Sequence, residues 1–135
     1  MSLERFVAAQ ESVYPRALAE LKAGKKQSHW MWFIFPQIAG LGHSAMAQMY
    51  AIQSLDEAKA YLAHPVLGPR LRECCEAVLA VEGKTAHAIF GSPDDLKFRS
   101  SLTLFDLASP GDIFRAALDK YFGGHPDPLT LQKLR

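Results

Sequence analysis

The sequence has little of what a disulfide-stabilised protein needs. It contains only two cysteines, Cys74 and Cys75, and they are adjacent. Neighbouring side chains on a helix point about 100° apart, so a disulfide between them would require a distorted backbone. We therefore expect free thiols, which are typical of a reducing compartment.

The sequence also lacks an excess charge of either sign and a long hydrophobic run. Its formal net charge is +1 at pH 7, whereas nucleic-acid-binding domains usually carry a strongly basic face. The longest uninterrupted apolar run, Trp30 to Pro36, is far shorter than the ~20 residues that span a bilayer. The N-terminal segment has no long apolar core, so no signal peptide is predicted. We expect a cytoplasmic protein without a nucleic-acid or membrane partner; the sequence does not indicate an oligomeric state.

Sequence motifs of the common catalytic and metal sites are absent. The chain has no H-E-x-x-H, no pair of C-x-x-C, no G-x-S-x-G and no P-loop. The sequence Gly40-Leu41-Gly42 has neither the preceding strand nor the third glycine of a dinucleotide-binding fingerprint. No cofactor and no metal are predicted, because four of the five histidines are dispersed without ligand spacing: His43, His64, His87 and His125.

Strand-like alternation is nearly absent, whereas apolar residues recur at helical spacing between glycines and prolines. A chain of 135 residues is the size of one domain and can bury a sizeable core without metal or disulfide. We predict an all-α, single compact domain over residues 1–135, with seven or eight short helices that do not form a simple up-down bundle. Helix starts are predicted at several residues that favour N-caps or first turns: Ser44, Ser54, Thr85, Asp112 and Asp127.

The stretch SHWMWFIFPQ, residues 28–37, concentrates aromatic side chains. A lone strand would have no partner, so we interpret it as a helix that is capped by Ser28 and broken at Pro36. Trp30 and Trp32 would then lie on different faces. At least one is expected in the core, and the other could be a platform on which a ligand ring stacks. Two alternatives stay open: the whole run is core, or it forms an exposed patch that docks a partner.

The segment GKKQSHWMWFIFPQIAGLGHSAMAQMYAI resembles the signature of a bacterial family, domain-of-unknown-function family 1810, sometimes mislabelled calpastatin-like. The resemblance covers essentially the whole chain, because LERFVAAQ, YLAHPVLGPRLRE, IFGSPDDLKFRSSLTLF and YFGGHPDPLTL also agree. Leu102 stands where the family commonly has Met, a substitution that conserves volume. The resemblance implies an all-helical single domain and supplies no catalytic assignment. The calpastatin label implies a disordered inhibitor, and the 49% hydrophobic composition argues against it.

Two segments contain polar residues that could bind a ligand. The loop of Gly40 and Gly42 before Ser44 can present backbone N–H groups to an anion, and the upstream Lys25 and Lys26 could face the same anion. A tight turn beside a solvated lysine pair is the alternative.

The second segment is PDDLKFRSS. On a helix, Asp94, Lys97 and Ser101 share one face because they are spaced by three and then four residues. This pattern fits a pocket in which Asp94 neutralises Lys97, or else a surface ion pair. His29 would lie in the first turn of its helix, where the dipole favours a neutral imidazole that can act as a base. A buried structural histidine is the alternative.

From these residues we predict a cleft between residues 25–44 and 94–103. It would bind a phosphorylated ring-bearing small molecule, nucleotide or ADP-ribose-like. Whether the chain also turns this molecule over, and is therefore an enzyme, is left open. The alternative is a non-catalytic interaction module that docks through Trp30–Phe35. The acid–base candidates are His29, Asp94 and Lys97. The ligand-binding candidates are Lys25, Lys26, Trp30, Trp32, Gln37, Gly40, Gly42, Ser44, Ser100 and Ser101.

Overall fold

A computed structural model describes residues 2–134, which form ten helices and no strand. The all-α prediction is confirmed, with ten helices in place of seven or eight. Several are single turns, which a periodicity window of roughly 11 residues does not resolve. The helices are α1 (Glu4–Gln10), α2 (Tyr14–Lys22), α3 (Met31–Ile34), α4 (Ala45–Met49), α5 (Leu55–Ala63), α6 (Leu67–Leu79), α7 (Ala86–Phe90), α8 (Asp94–Ala108), α9 (Ile113–Phe122) and α10 (Pro128–Lys133).

Side-chain caps start five of these helices where the sequence predicted them. Ser44, Ser54, Thr85 and Asp127 each accept a hydrogen bond from the backbone N–H three residues later. Asp112 instead accepts from the next backbone N–H, at 2.7 Å. Each cap satisfies a donor that the first helical turn leaves free.

Helix α8 is the centre of the molecule and packs against α5, α7, α9 and α10. Residues 100–106 are all buried, which requires neighbours on every side of the helix. Phe98 is fully buried, and its ring centroid lies 4.9 Å from that of Phe35 and 4.5 Å from that of Phe90. One hydrophobic cluster extends from Phe6 in α1 to Leu118 in α9.

The aromatic stretch departs from its predicted helix. Helix α3 covers only Met31–Ile34, and Ser28 does not cap it. The hydroxyl and the backbone N–H of Ser28 both donate to the carboxylate of Glu20, at 2.6 and 3.0 Å, and α3 begins only at Met31. The helix ends at Ile34, and its C-cap Phe35 directly precedes Pro36, which agrees with the predicted break at the proline.

The carboxylate of Glu20, in α2, anchors the segment that leads into α3. It accepts hydrogen bonds from the backbone N–H of Gln27 and Ser28, from the Ser28 hydroxyl and from Nε1 of Trp30. Burial alone would raise the pKa of Glu20, but these hydrogen bonds outweigh it and lower the pKa from its ordinary 4.5 to about 2. The ionised carboxylate therefore stabilises the fold.

The two cysteines lie in the core of α6 as free thiols. Burial raises the pKa of Cys74 to about 12 and the pKa of Cys75 well above its ordinary value. Neither thiol is therefore a nucleophile near neutral pH.

None of the helices in the described part of the chain combines the length and apolar character needed to cross a membrane.

Replacing Phe98 with alanine should destabilise the fold by about 3–5 kcal/mol, because it leaves a cavity among buried aromatic rings. Leu107→Ala is the matched control, since Leu107 lies on the same helix but is 38% exposed, and it should cost at most about 1 kcal/mol. Urea unfolding followed by circular dichroism measures both. Equal losses would contradict the central place of Phe98.

Glu20→Gln should lower the free energy of unfolding by about 1–3 kcal/mol near neutral pH, because hydrogen bonds to a charged acceptor are lost. The folded-state pKa of Glu20 is depressed to about 2, so its stabilisation is complete above the ordinary pKa of 4.5 and is lost as the pH falls towards about 2. The difference between wild type and Glu20→Gln should therefore shrink in acid.

The control for this series is Glu11→Gln, at an exposed position just after α1. Its unfolding free energy should follow the wild-type value at every pH. A Glu20→Gln deficit that stayed constant from acid to neutral pH would refute the role given to the ionised carboxylate.

Candidate functional site

A cavity of about 490 Å³ lies between three parts of the chain: the segment leading into α4, one face of α8 and the start of α10. Trp32 of α3 also lines it. The other apolar lining residues are Leu41, Ala47, Pro93, Leu96 and Leu129, and the remaining lining residues are Gln37, Gly42, His43, Ser44, Lys97, Arg99, Ser100 and Asp127.

The α8 wall follows from helical spacing. Pro93, Leu96, Lys97 and Ser100 recur at intervals of three, four and seven residues and so lie on one face. Leu96 is 56% exposed, although the helix behind it is buried. This face therefore turns away from the core and towards the cavity.

The opposite wall is held in place by a single β-type contact. Ile38 and Ile52 form an isolated parallel bridge, in which Ile52 N–H donates to the carbonyl of Gln37 and Ala39 N–H donates to that of Ile52, both at 2.8 Å. This pairing fixes the start of the loop that carries residues 41–44 across to α4.

Two glycines let this loop turn and pack. Gly40 has φ of +96°, a conformation that other residues rarely adopt. A Cβ added at Gly42 would lie 2.6 Å from the Cβ of Ala47, so only glycine permits this approach to α4. Of the two glycines, only Gly40 has the positive φ expected of the tight-turn alternative, and Gly42 and Ser44 line the cavity.

Behind the α8 wall lies a chain of charges. Asp94 pairs with Lys26 at 2.8 Å and with Lys97 at 3.4 Å. The Lys26 ammonium, whose side chain is only 8% exposed, also donates to the carbonyl of Ser28 at 2.7 Å. Because one carboxylate lies between two ammonium groups, this cluster of Lys26, Asp94 and Lys97 has a net positive charge. Of the three residues, Lys97 lines the cavity.

Lys97 also contacts the aromatic wall. Its ammonium lies 4.9 Å from the centroid of the Trp32 ring, within the range of a cation–π interaction. Trp32 is partly buried, while Trp30 is 1% exposed. The two tryptophans thus have different surroundings: one belongs to the core and one to the cavity wall.

The third wall is clamped to α8 by hydrogen bonds. Arg99 donates to the carbonyls of His125 and Pro126, each at 2.9 Å. The hydroxyl of Ser100 donates to Oδ2 of Asp127 at 2.8 Å, and Asp127 N–H donates to the hydroxyl of Thr103 at 2.9 Å. The start of α10 is therefore fixed against α8.

The structure brings six of the predicted site residues to one cavity, and they come from both predicted segments. They are Trp32, Gln37, Gly42, Ser44, Lys97 and Ser100.

The remaining predicted residues lie outside the cavity lining. His29, Lys25 and Gly40 are exposed, while Trp30 and Ser101 are each 1% exposed in the core. His29 does not occupy a first helical turn, because α3 begins only at Met31. Lys26 and Asp94 lie behind Lys97.

Sequence reasoning missed three polar residues of the lining: His43, Arg99 and Asp127. Arg99 lies within the segment already singled out, and His43 adjoins Ser44. Asp127 was recognised only as a helix start, since nothing in the sequence indicates that α10 packs beside α8.

Comparison with known proteins agrees with this fold. The crystal structure of the conserved hypothetical protein Rv1873 from Mycobacterium tuberculosis superposes with a TM-score of 0.96, at 53% identity, over 98% of this chain and 95% of that one. No curated protein matches the chain. The family model described as protein of unknown function (DUF1810) matches residues 1–134. The chain therefore belongs to the DUF1810 family.

Proposed function

We propose that the cavity binds a phosphorylated, ring-bearing small molecule of the nucleotide or ADP-ribose type. The observation that carries the proposal is the meeting of a partly buried indole, Trp32, with two cationic side chains, Lys97 and Arg99, in one concavity. An aromatic face suits a flat ring, and the cations suit phosphate.

The size and composition of the cavity support a small ligand. Its volume of about 490 Å³ falls within the roughly 300–1,000 Å³ typical of ligand sites. Such sites combine mostly apolar walls with a few placed polar groups, which describes the lining around Leu41, Pro93 and Leu129.

One of the two cations, Arg99, is already held in position, which lowers the entropic cost of binding an anion. Arg99 is fixed by its two carbonyl acceptors, and its Nη1 has no acceptor among residues 2–134. Lys97 rests between Asp94 and the Trp32 ring. A phosphate could accept from both groups without breaking the contacts of Arg99.

The Lys97 ammonium and the ring of a ligand would compete for the same face of the Trp32 indole. The Lys97 ammonium now lies over the Trp32 ring, where a ligand ring would stack. In our proposal the phosphate draws Lys97 away from the indole, and the ring takes its place.

The positions of the predicted acid–base residues support ligand binding and do not support a catalytic step. Of the three predicted acid–base residues, only Lys97 lines the cavity. Asp94 is engaged by two ammonium groups, and His29 lies outside the lining. The expected cytoplasmic location, the single domain over residues 1–135 and the expected lack of nucleic-acid and membrane partners remain part of this proposal.

The alternative, a docking module built on Trp30–Phe35, has less support. Trp30, Met31, Ile34 and Phe35 are all buried. Phe33 packs edge-on against Tyr50, with ring centroids 4.8 Å apart. The run therefore offers no continuous exposed patch.

A panel of ADP, ADP-ribose, sugar phosphates and their unphosphorylated counterparts should separate binders from non-binders by thermal shift. A phosphorylated binder at 100 times its Kd adds about 2.7 kcal/mol, which raises the Tm by several degrees at roughly 2–8 °C per kcal/mol. Lys97→Ala should weaken its binding by about 10–100-fold in calorimetric titration, because a charged hydrogen bond is lost.

Lys59→Ala is the matched control, since it removes the same charge from an exposed position on α5. It should bind like wild type. A panel in which no phosphorylated compound raises the Tm, or in which Lys97→Ala and Lys59→Ala behave alike, would refute the proposed site.

A further inference from the structure

The carboxylate of Asp127 uses its two oxygens unequally. Its Oδ2 accepts three hydrogen bonds: from the Ser100 hydroxyl at 2.8 Å, from the Thr130 hydroxyl at 2.6 Å and from the Thr130 backbone N–H at 3.3 Å. No donor within residues 2–134 bonds to Oδ1. Asp127 lines the cavity, and Oδ1 is its carboxylate oxygen without a protein donor.

The supports of this carboxylate are buried and therefore rigid. Ser100 is 7% exposed and Thr130 is 0% exposed. Thr103, which receives the backbone N–H of Asp127, is 1% exposed. These contacts fix the plane of the carboxylate, and Oδ1 is a preorganised acceptor.

The cations of the cavity do not neutralise this oxygen. Lys97 pairs with Asp94, and the observed donors of Arg99 are directed to backbone carbonyls. Within the described chain, Asp127 forms no ion pair. The cavity therefore combines anion-binding groups with a carboxylate oxygen that has no protein donor, and a purely anionic ligand would bring no donor to that oxygen.

We propose that Asp127 is a specificity-determining residue that accepts a hydrogen bond from a hydroxyl or amino group of the ligand. This inference rests on the proposed function and narrows its ligand class to phosphorylated molecules that carry a neutral donor beside the ring, such as a ribose hydroxyl or an exocyclic amine. Inorganic phosphate and pyrophosphate would bind to Lys97 and Arg99 but carry no ribose hydroxyl or exocyclic amine for Asp127.

Asp127→Asn tests this role with the least structural change. Asparagine is as good an N-cap as aspartate, and its amide oxygen can keep the bonds from Ser100 and Thr130. Its NH₂ group then replaces Oδ1 and opposes the ligand donor. Asp127→Ser removes Oδ1 and keeps a single hydroxyl oxygen that can still cap α10. Asp56→Asn removes a carboxylate at an exposed position on α5. Circular dichroism melting verifies that each variant is folded.

Calorimetric titration would use three probes: ADP, 2′,3′-dideoxy-ADP, which lacks the ribose hydroxyls, and IDP, which lacks the adenine amine. Asp127→Asn should weaken ADP binding on the order of 10–100-fold. Asp127→Ser should weaken it to a smaller degree, and Asp56→Asn should leave it unchanged. The probe that lacks the recognised donor should bind wild type and Asp127→Asn equally, which identifies the donor as hydroxyl or amine.

A wrong role for Asp127 and a wrong proposed function would give different results. If wild type binds ADP and Lys97→Ala loses it while both Asp127 variants bind normally, the role of Asp127 is refuted and the proposed function stands. If Asp127→Asn lowered the affinity for all three probes equally, the role of Asp127 would also be refuted. The residue would then support the shape of the cavity without accepting a hydrogen bond from the ligand. If none of the probes binds wild type at millimolar concentration, the proposed function fails and this inference fails with it.

Discussion

The carboxylate of Glu20 is the contact on which the candidate site depends. Its hydrogen bonds with Ser28 and with the indole of Trp30 fix the segment between α2 and α3, and this segment carries Lys26. Lys26 bonds through its backbone N–H to α7 and through its ammonium to Asp94 at the start of α8. The carboxylate of Glu20 thereby links the second helix to the wall of the cavity, and Trp30 belongs to this framework rather than to the site.

Much of the fold was predictable because its signals are local. Helix caps at Ser44, Ser54 and Thr85 depend on residues three positions apart, and the buried stripe of α6 depends on helical periodicity. The length of α3 was not predictable, since Ser28 is a good N-cap by its own chemistry. Ser28 is bonded to Glu20, eight residues earlier, and no local rule reports that contact.

The candidate site was predictable only in its main segments. Lys97 was found because helical spacing groups it with Asp94 and Ser101, although Ser101 is buried and its neighbour Ser100 lines the cavity. Trp32 was found because two tryptophans on different faces cannot both lie in one wall. His29 was misplaced because its predicted helix starts later. Asp127 was missed as a site residue because its neighbour Ser100 is 27 residues away in sequence, and only tertiary packing brings them together.

The most direct test of the account uses the two indole N–H signals of the protein, from Trp30 and Trp32, in ¹H–¹⁵N NMR spectra. The signals are assigned with Trp32→Phe and then followed while wild type is titrated with ADP. If the cavity is the ligand site, the Trp32 signal shifts saturably while that of Trp30, whose indole donates to Glu20 at 2.9 Å, stays in place. No shift of either signal, or a shift of Trp30 alone, would contradict the account.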